Sequence, residues 1–122
     1  MNLTIAEFIK TVQSDQKISF DETIDLINNF YTYQPTEFSN GLAEQCIINA
    51  AGKNEGSCKL LYFAQLNQLS EQQTLALFGD YYWKDVIEHP AALNHQNIRQ
   101  FMRYGWPGIA FKGVPLTPKT QF

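Results

Sequence analysis

Three capping boxes predict where helices begin in this chain. In each box a Ser or Thr side chain accepts a hydrogen bond from the backbone N–H three residues on, where a Glu or Gln side chain reaches back. The boxes are Thr4 with Glu7, Ser19 with Glu22, and Ser70 with Gln73. Apolar residues at helical spacing follow each box. The sequence therefore predicts helices over residues 4–14, over residues 19–30, and from residue 70 to just before Pro90.

Two more helices are predicted from loop and stop signals. A polar loop with two glycines, residues 49–57, leads into the run 58–66, which is apolar on most of its helical surface and should lie in the middle of the core. Asn94 is predicted to cap a fifth helix, with Leu93 and Ile98 packed around the cap. Gly105 is predicted to end that helix.

Short strands are predicted between and after the helices. Residues 31–34 are aromatic and β-branched and precede Pro35, so we expect a strand followed by a loop over residues 36–41. Alternating apolar residues from Ile109 to Leu116 predict two short strands or one kinked strand, which we expect to pair with residues 31–34. Residues 42–48 fit either a helical turn or a strand, and residues 117–122 should form a loose tail.

These elements predict an α+β fold, a single helix-dominated domain over residues 1–122 with about five helices and a small β-sheet. With 122 residues the chain is long enough to fold without a disulfide or a metal, and its content of 44% hydrophobic and 14% aromatic residues argues against disorder. A net charge of −3 gives no basic field for nucleic acid or anionic lipid. We expect a cytoplasmic protein that binds neither nucleic acid nor membrane, with Cys46 and Cys58 reduced.

Four sequence blocks carry a resemblance to a known family. They are Asn49-x-Ala51-Gly52-x-Asn54-x-Gly56-Ser57-Cys58-Lys59, Thr74-Leu75-x-x-Phe78-Gly79-x-Tyr81-Tyr82-x-x-Asp85-Val86, His95-x-Asn97-Ile98-Arg99, and Gly105-Trp106-x-Gly108-Ile109-x-Phe111. Together they closely resemble the HopJ type III effector family. The resemblance implies delivery into host cells but no biochemical activity. The chain departs from the family pattern at Trp83 and at residues 92–94, where the family has an Arg and a Gly-x-Asp.

The predicted first helix bears on delivery. Substrates of type III secretion generally begin with a weakly structured leader, whereas the box at Thr4 and Glu7 places an amphipathic helix at the very start. Removing that helix for export would expose its apolar face. We therefore expect a resident cytosolic protein, with secretion into a host cell as the reading that the family resemblance implies.

Cys58 is the candidate nucleophile. It follows Gly56 and Ser57 at the predicted start of a helix, an environment that lowers the pKa of a thiol. With His95 or His89 as the base, it would make a small cysteine-dependent hydrolase or acyltransferase. The favoured interpretation is that Cys58 is a small buried residue, because free cysteine is among the most buried residue types.

The same loop is a candidate anion site. Ser57 would cap the helix, Lys59 would supply a positive charge, and Asn54 would lie in the loop, although the glycine spacing is not that of a P-loop. In the fifth helix, Arg99 would bind a carboxylate or phosphate. Turn chemistry alone also explains the glycines and asparagines of the loop.

An acid–base group is a further candidate. Tyr81, Asp85, Glu88 and His89 are predicted on neighbouring helical turns, which suits proton transfer but is also typical of a solvated face. His95 would be neutral in the first turn of the fifth helix. The spacing of the two cysteines and two histidines matches no zinc motif, so we predict no metal and no cofactor.

The preferred prediction is a binding protein with a pocket at the 49–59 loop and the start of the 95–104 helix. The ligand-binding residues predicted for it are Asn54, Ser57, Lys59, Tyr82, Asp85 and Arg99. The partner is a small anionic ligand or a protein, including a host protein if the chain is secreted. The alternative is the hydrolase or transferase that uses Cys58 with His95 or His89.

Overall fold

Six α-helices and five three-residue strands make up the part of the chain that the computed structural model describes, residues 4–14 and 16–119. The helices are α1 (Ile5–Gln13), α2 (Phe20–Phe30), α3 (Glu55–Leu66), α4 (Glu71–Ala76), α5 (Asp80–Trp83) and α6 (Gln96–Tyr104). The strands are β1 (Tyr31–Tyr33), β2 (Phe38–Asn40), β3 (Ile47–Asn49), β4 (Ile109–Phe111) and β5 (Leu116–Pro118). Turns of 3-10 helix occupy Ala43–Gln45 and Trp106–Gly108. The predicted α+β class is confirmed.

All three capping boxes are confirmed, at the starts of α1, α2 and α4. In the first box the Thr4 hydroxyl accepts from the Glu7 N–H at 3.1 Å, and the Glu7 carboxylate accepts from the Thr4 N–H at 2.9 Å. These starts were predictable because both partners of each bond lie within four residues of sequence.

The starts of α3 and α6 were predicted wrongly. α3 begins at Glu55, three residues before the predicted Cys58, so Ser57 lies inside the first turn and does not cap it. α6 follows His95, and Asn94 is not its cap. In both places the residue before the helix turns the chain in the left-handed conformation, Asn54 at φ 53° and His95 at φ 53°. A backbone turn of this kind leaves no side-chain capping signature in the sequence.

The single long helix predicted from residue 70 to Pro90 is wrong. α4 and α5 are separated at Gly79, whose φ of 61° and ψ of −136° break the helix. A Cβ added at Gly79 would lie 2.8 Å from the Phe20 nitrogen and 3.0 Å from the Ile18 oxygen. The backbone before α2 passes so close that only glycine fits, and residues 84–94 continue as turns.

The predicted strand pairing is confirmed in part. β1 pairs antiparallel with β5, with Tyr31 opposite Pro118, as expected for residues 31–34 and the second C-terminal strand. β4 pairs instead with β2, with Phe38 opposite Phe111. β3 completes a separate sheet in the order β3-β2-β4. The predicted loop over residues 36–41 therefore contains a strand, and the predicted tail contributes residues 117 and 118 to β5. Residues 120–122 lie outside the described part of the chain.

α3 lies at the centre of the core, as predicted. Leu60, Leu61, Phe63 and Ala64 are all fully buried. The Phe63 ring meets the rings of Phe8 and Tyr31 edge-on, at centroid distances of 6.0 and 5.9 Å. Burial of such a side chain contributes about 2 to 3 kcal/mol. None of the helices described is long and apolar enough to cross a membrane.

Candidate functional site

The imidazole of His95 contacts the carboxylate of Asp85, which lies ten residues earlier in the chain. The His95 Nε2 lies 3.0 Å from the Asp85 Oδ2. An ionised carboxylate only accepts hydrogen bonds, so Nε2 carries the hydrogen and, in the neutral ring, Nδ1 is an acceptor. The imidazole also lies against the Tyr81 ring, with centroids 5.1 Å apart. The contact holds one histidine in a defined orientation at the start of α6.

A cavity of about 410 Å³ opens beside this pair. One wall is a row of aromatic rings in which Phe20 stacks on Phe78 at 6.2 Å and meets Tyr81 edge-on at 5.2 Å. The polar side is formed by the starts of α3 and α6. The remaining lining residues are Ile47, Asn54, Gly56, Ser57, His95, Gln96, Asn97 and Ile98. The volume is in the range of small-molecule sites, and the lining combines an apolar wall with a few polar groups.

Backbone N–H groups of two helices meet at this cavity. Neither α3 nor α6 has a side-chain hydrogen bond at its cap. Within the described ranges, the N–H groups of Gly56, Ser57, Gln96 and Asn97 donate to no protein acceptor. Such groups, together with the two helix dipoles, favour a negative charge between them.

A network of buried amides holds the two helix starts together. Asn97 Oδ1 accepts from Asn40 Nδ2 at 3.0 Å and from Asn49 Nδ2 at 3.1 Å, while Asn97 Nδ2 donates to Asn49 Oδ1 at 3.0 Å. Asn54 Nδ2 also donates to Asn49 Oδ1, at 2.7 Å. The loop before α3 is thereby fixed to the first turn of α6. Sequence reasoning missed Asn40, Asn49 and Asn97 because asparagine is so common in turns.

Arg99 has a structural position. Its guanidinium donates to the carbonyl oxygens of Asn94 at 2.6 Å, His89 at 3.1 Å and Asp85 at 3.3 Å. It does not line the cavity, and neither does His89. Arg99 holds the turns of residues 85–94 against α6, and its predicted contact with a ligand stays a prediction.

Cys58 lies in the core and not in the cavity. The side chain is 1% exposed, and its thiol faces the Thr36 carbonyl oxygen at 3.7 Å. Burial raises the pKa of Cys58 to about 11, with a further increase from Glu55 and an opposing effect of Lys59. The thiol is therefore protonated at neutral pH, and no described hydrogen bond joins it to His89 or His95.

Lys59 and Tyr82 also lie away from the cavity. The Lys59 ammonium donates to Asn28 Oδ1 at 3.0 Å and sits 4.8 Å above the Tyr33 ring. Tyr82 is buried, with its hydroxyl 3.5 Å from Gln72 Nε2. Of the residues predicted to bind a ligand, Asn54 and Ser57 line the cavity, and Asp85 contacts His95, which also lines it.

Within residues 4–14 and 16–119, no cluster of three or more His, Cys, Asp or Glu side chains could hold a metal ion. Burial raises the pKa of Tyr33, and the nearby Glu55 carboxyl acts in the same direction.

The sequence model of the HopJ type III effector protein family matches residues 5–116, nearly the whole chain. The chain belongs to the HopJ family. The crystal structure of VPA0580, a protein of unknown function, is 41% identical and superposes with a TM-score of 0.90. The match covers 98% of this HopJ chain and 97% of the other. No curated protein matches the sequence. Family membership and the fold are thus shown without an activity attached to them.

Proposed function

We propose that this HopJ protein is a binding protein that takes a small anionic ligand into the cavity between the starts of α3 and α6. The observation that carries the proposal is the composition of that cavity. A row of aromatic rings faces His95, Ser57 and four backbone N–H groups that have no protein acceptor among the described residues.

The charge of the site supports an anion. The first residues of α3 and α6 line the cavity, so the positive ends of two helix dipoles lie beside it. Among the described residues that line the cavity none is an aspartate or glutamate, and the Asp85 carboxylate lies 3.0 Å from His95 Nε2. The ring row Phe78, Phe20 and Tyr81 suits a ligand that has an apolar or ring portion beside its negative group.

The alternative cysteine-dependent enzyme has less support. A nucleophilic cysteine needs to be ionised and accessible, whereas Cys58 is buried with a raised pKa. His95, its predicted base, contacts Asp85 and Tyr81. We place the proposed binding in the cytosol of the producing cell or, after type III secretion, of a host cell.

Isothermal titration with inorganic phosphate, acetate and benzoate tests the proposal. We expect at least one of these anions to bind with a stoichiometry of one. The variant His95→Asn removes the imidazole while keeping a residue that tolerates the left-handed conformation at φ 53°. It should weaken binding about tenfold, because it removes an imidazole ring that lines the cavity and with it the hydrogen bond to the Asp85 carboxylate.

His89→Asn is the matched control, since His89 is exposed and does not line the cavity. It should leave the affinity unchanged. Absence of binding by all three anions, or an equal loss in both histidine variants, would refute the proposed site.

A further inference from the structure

A second depression lies on the opposite side of α6 from the amide network. It has a volume of about 580 Å³ and runs between the turns of residues 86–93 and the outer face of α6; we call it the outer groove. Three of its large apolar side chains are unusually exposed: Leu93 at 84%, Ile87 at 45% and Met102 at 45%. Pro90 and two alanines extend the apolar surface. Contiguous exposed apolar groups of this kind mark interaction sites more often than scattered single residues do.

The outer groove is held in shape by the protein itself. Arg99, which lies in α6, donates hydrogen bonds to the carbonyl oxygens of Asp85, His89 and Asn94. These bonds attach the turns that form the other wall of the groove to the helix. Val86 anchors the same wall in the core at 2% exposure. A partner would therefore meet a largely preformed surface, which lowers the entropy lost on binding.

The outer groove is positively charged although the protein is acidic. Arg99 and Arg103 line it, and no lining residue is an aspartate or glutamate. Among the ion pairs of the described residues, none includes an arginine. The net charge of the whole chain is −3. A partner with acidic residues beside an apolar stripe is complementary to this surface in both respects.

We propose that the outer groove docks an amphipathic helix of a partner protein, with its apolar stripe on Ile87, Leu93 and Met102 and its acidic residues beside Arg103. The lining residues belong to α6, to turns and to the 3-10 turn at Ala43–Gln45, so the surface offers no strand edge for an extended peptide. A partner would therefore be recognised through its side chains, as when an amphipathic helix lays its apolar face into a groove. Gln96 lines both this groove and the cavity proposed for the anion, and the other lining residues of the two differ.

Two designed helical peptides of about five turns test the proposal. They share one apolar stripe of Leu and Ala, and differ in having either Glu or Lys at the flanking positions. Fluorescence anisotropy with the intact protein should show binding of the Glu peptide about fivefold or more tighter than that of the Lys peptide. Leu93→Asp should weaken the Glu peptide about tenfold, and Arg103→Glu should remove the preference for it.

Val114→Asp is the matched control, because Val114 is an exposed aliphatic residue that does not line the outer groove. It should change neither affinity. The proposal is wrong if the two peptides bind equally, or if Leu93→Asp and Val114→Asp have the same effect. It is also wrong if sedimentation shows a dimer that Leu93→Asp dissociates, since a second copy of the chain would then cover this surface.

Discussion

Asn49 and Asn97 exchange two side-chain hydrogen bonds, at 3.1 and 3.0 Å, across 48 residues of sequence. Each amide is both donor and acceptor to the other, and each is almost fully buried. The pair joins the end of β3 to the first turn of α6. Because Asn54 and Asn40 attach to the same pair, the spacing of the two helix starts depends on it.

We expect Asn97→Ala to lower the free energy of unfolding by about 2 to 4 kcal/mol. The substitution removes three buried hydrogen bonds, from Asn40 Nδ2 and Asn49 Nδ2 to Asn97 Oδ1 and from Asn97 Nδ2 to Asn49 Oδ1, and leaves a space where the amide was. Urea denaturation followed by circular dichroism measures the change. Asn29→Ala, at an exposed helical position, is the control and should shift stability by less than about 0.5 kcal/mol. Equal effects of the two substitutions would show that the network contributes little.

Gly79→Ala should lower the free energy of unfolding by about 2 to 4 kcal/mol. Its φ of 61° disfavours a side chain, and a Cβ would meet backbone atoms of Ile18 and Phe20 that cannot easily move. Gly113→Ala is the matched control, because a Cβ there would make only an ordinary van der Waals contact with Thr36 Cγ2 at 3.6 Å and the φ of Gly113 is ordinary. Thermal unfolding should separate the two variants clearly. A Gly79→Ala protein as stable as Gly113→Ala would mean that α4 and α5 can join as one helix.

Cys58 should resist alkylation in the folded protein. Its thiol is buried and protonated at neutral pH, whereas Cys46 is only partly buried. With iodoacetamide near neutral pH, mass spectrometry should show modification of Cys46 first and of Cys58 only after denaturation. Fast and complete labelling of Cys58 in the native protein would instead favour the cysteine-dependent alternative.

Ionisation of the Cys58 thiol should lower the free energy of unfolding in alkali. Its pKa is raised from 9.0 to about 11 in the folded state, so its contribution is complete below the unfolded value and is lost as pH rises through the folded one. Stability should fall by about 2 kcal/mol between pH 9 and pH 11 from this group. Tyr33, whose pKa is also raised, acts in the same direction. Urea titrations at several pH values should show a shallower alkaline slope in Cys58→Ala, and an unchanged slope would contradict this.

Features that depend on residues close together in the sequence were predicted, whereas features that depend on distant residues were not. The capping boxes at Thr4, Ser19 and Ser70 depend on partners three residues apart, and all were predicted. The break at Gly79 was missed because it depends on the backbone at residues 18–20, far away in sequence. Strands of three residues have no readable period, so the pairing of β4 with β2 was equally hidden.

For the candidate site, the position was predictable from the sequence but the individual contacts were not. The position of a cavity between the 49–59 loop and the start of α6 matches the predicted pocket, because both regions showed loop-to-helix signals. Individual contacts could not be predicted. Asp85 and His95 were each candidates, but their hydrogen bond depends on how the turns of residues 84–94 fold back. Arg99 was chosen for its charge, whereas its actual partners are main-chain carbonyls, which no sequence pattern displays.

The measurement that tests the central proposal most directly is a titration of ¹⁵N-labelled protein with the anion that binds best, followed through backbone amide signals. We expect the amide signals of Gly56, Ser57, Gln96 and Asn97 to shift together along one binding curve, since these are the N–H groups at the two helix starts. Shifts confined to other parts of the chain, or no shift of these four signals at saturating anion, would contradict it.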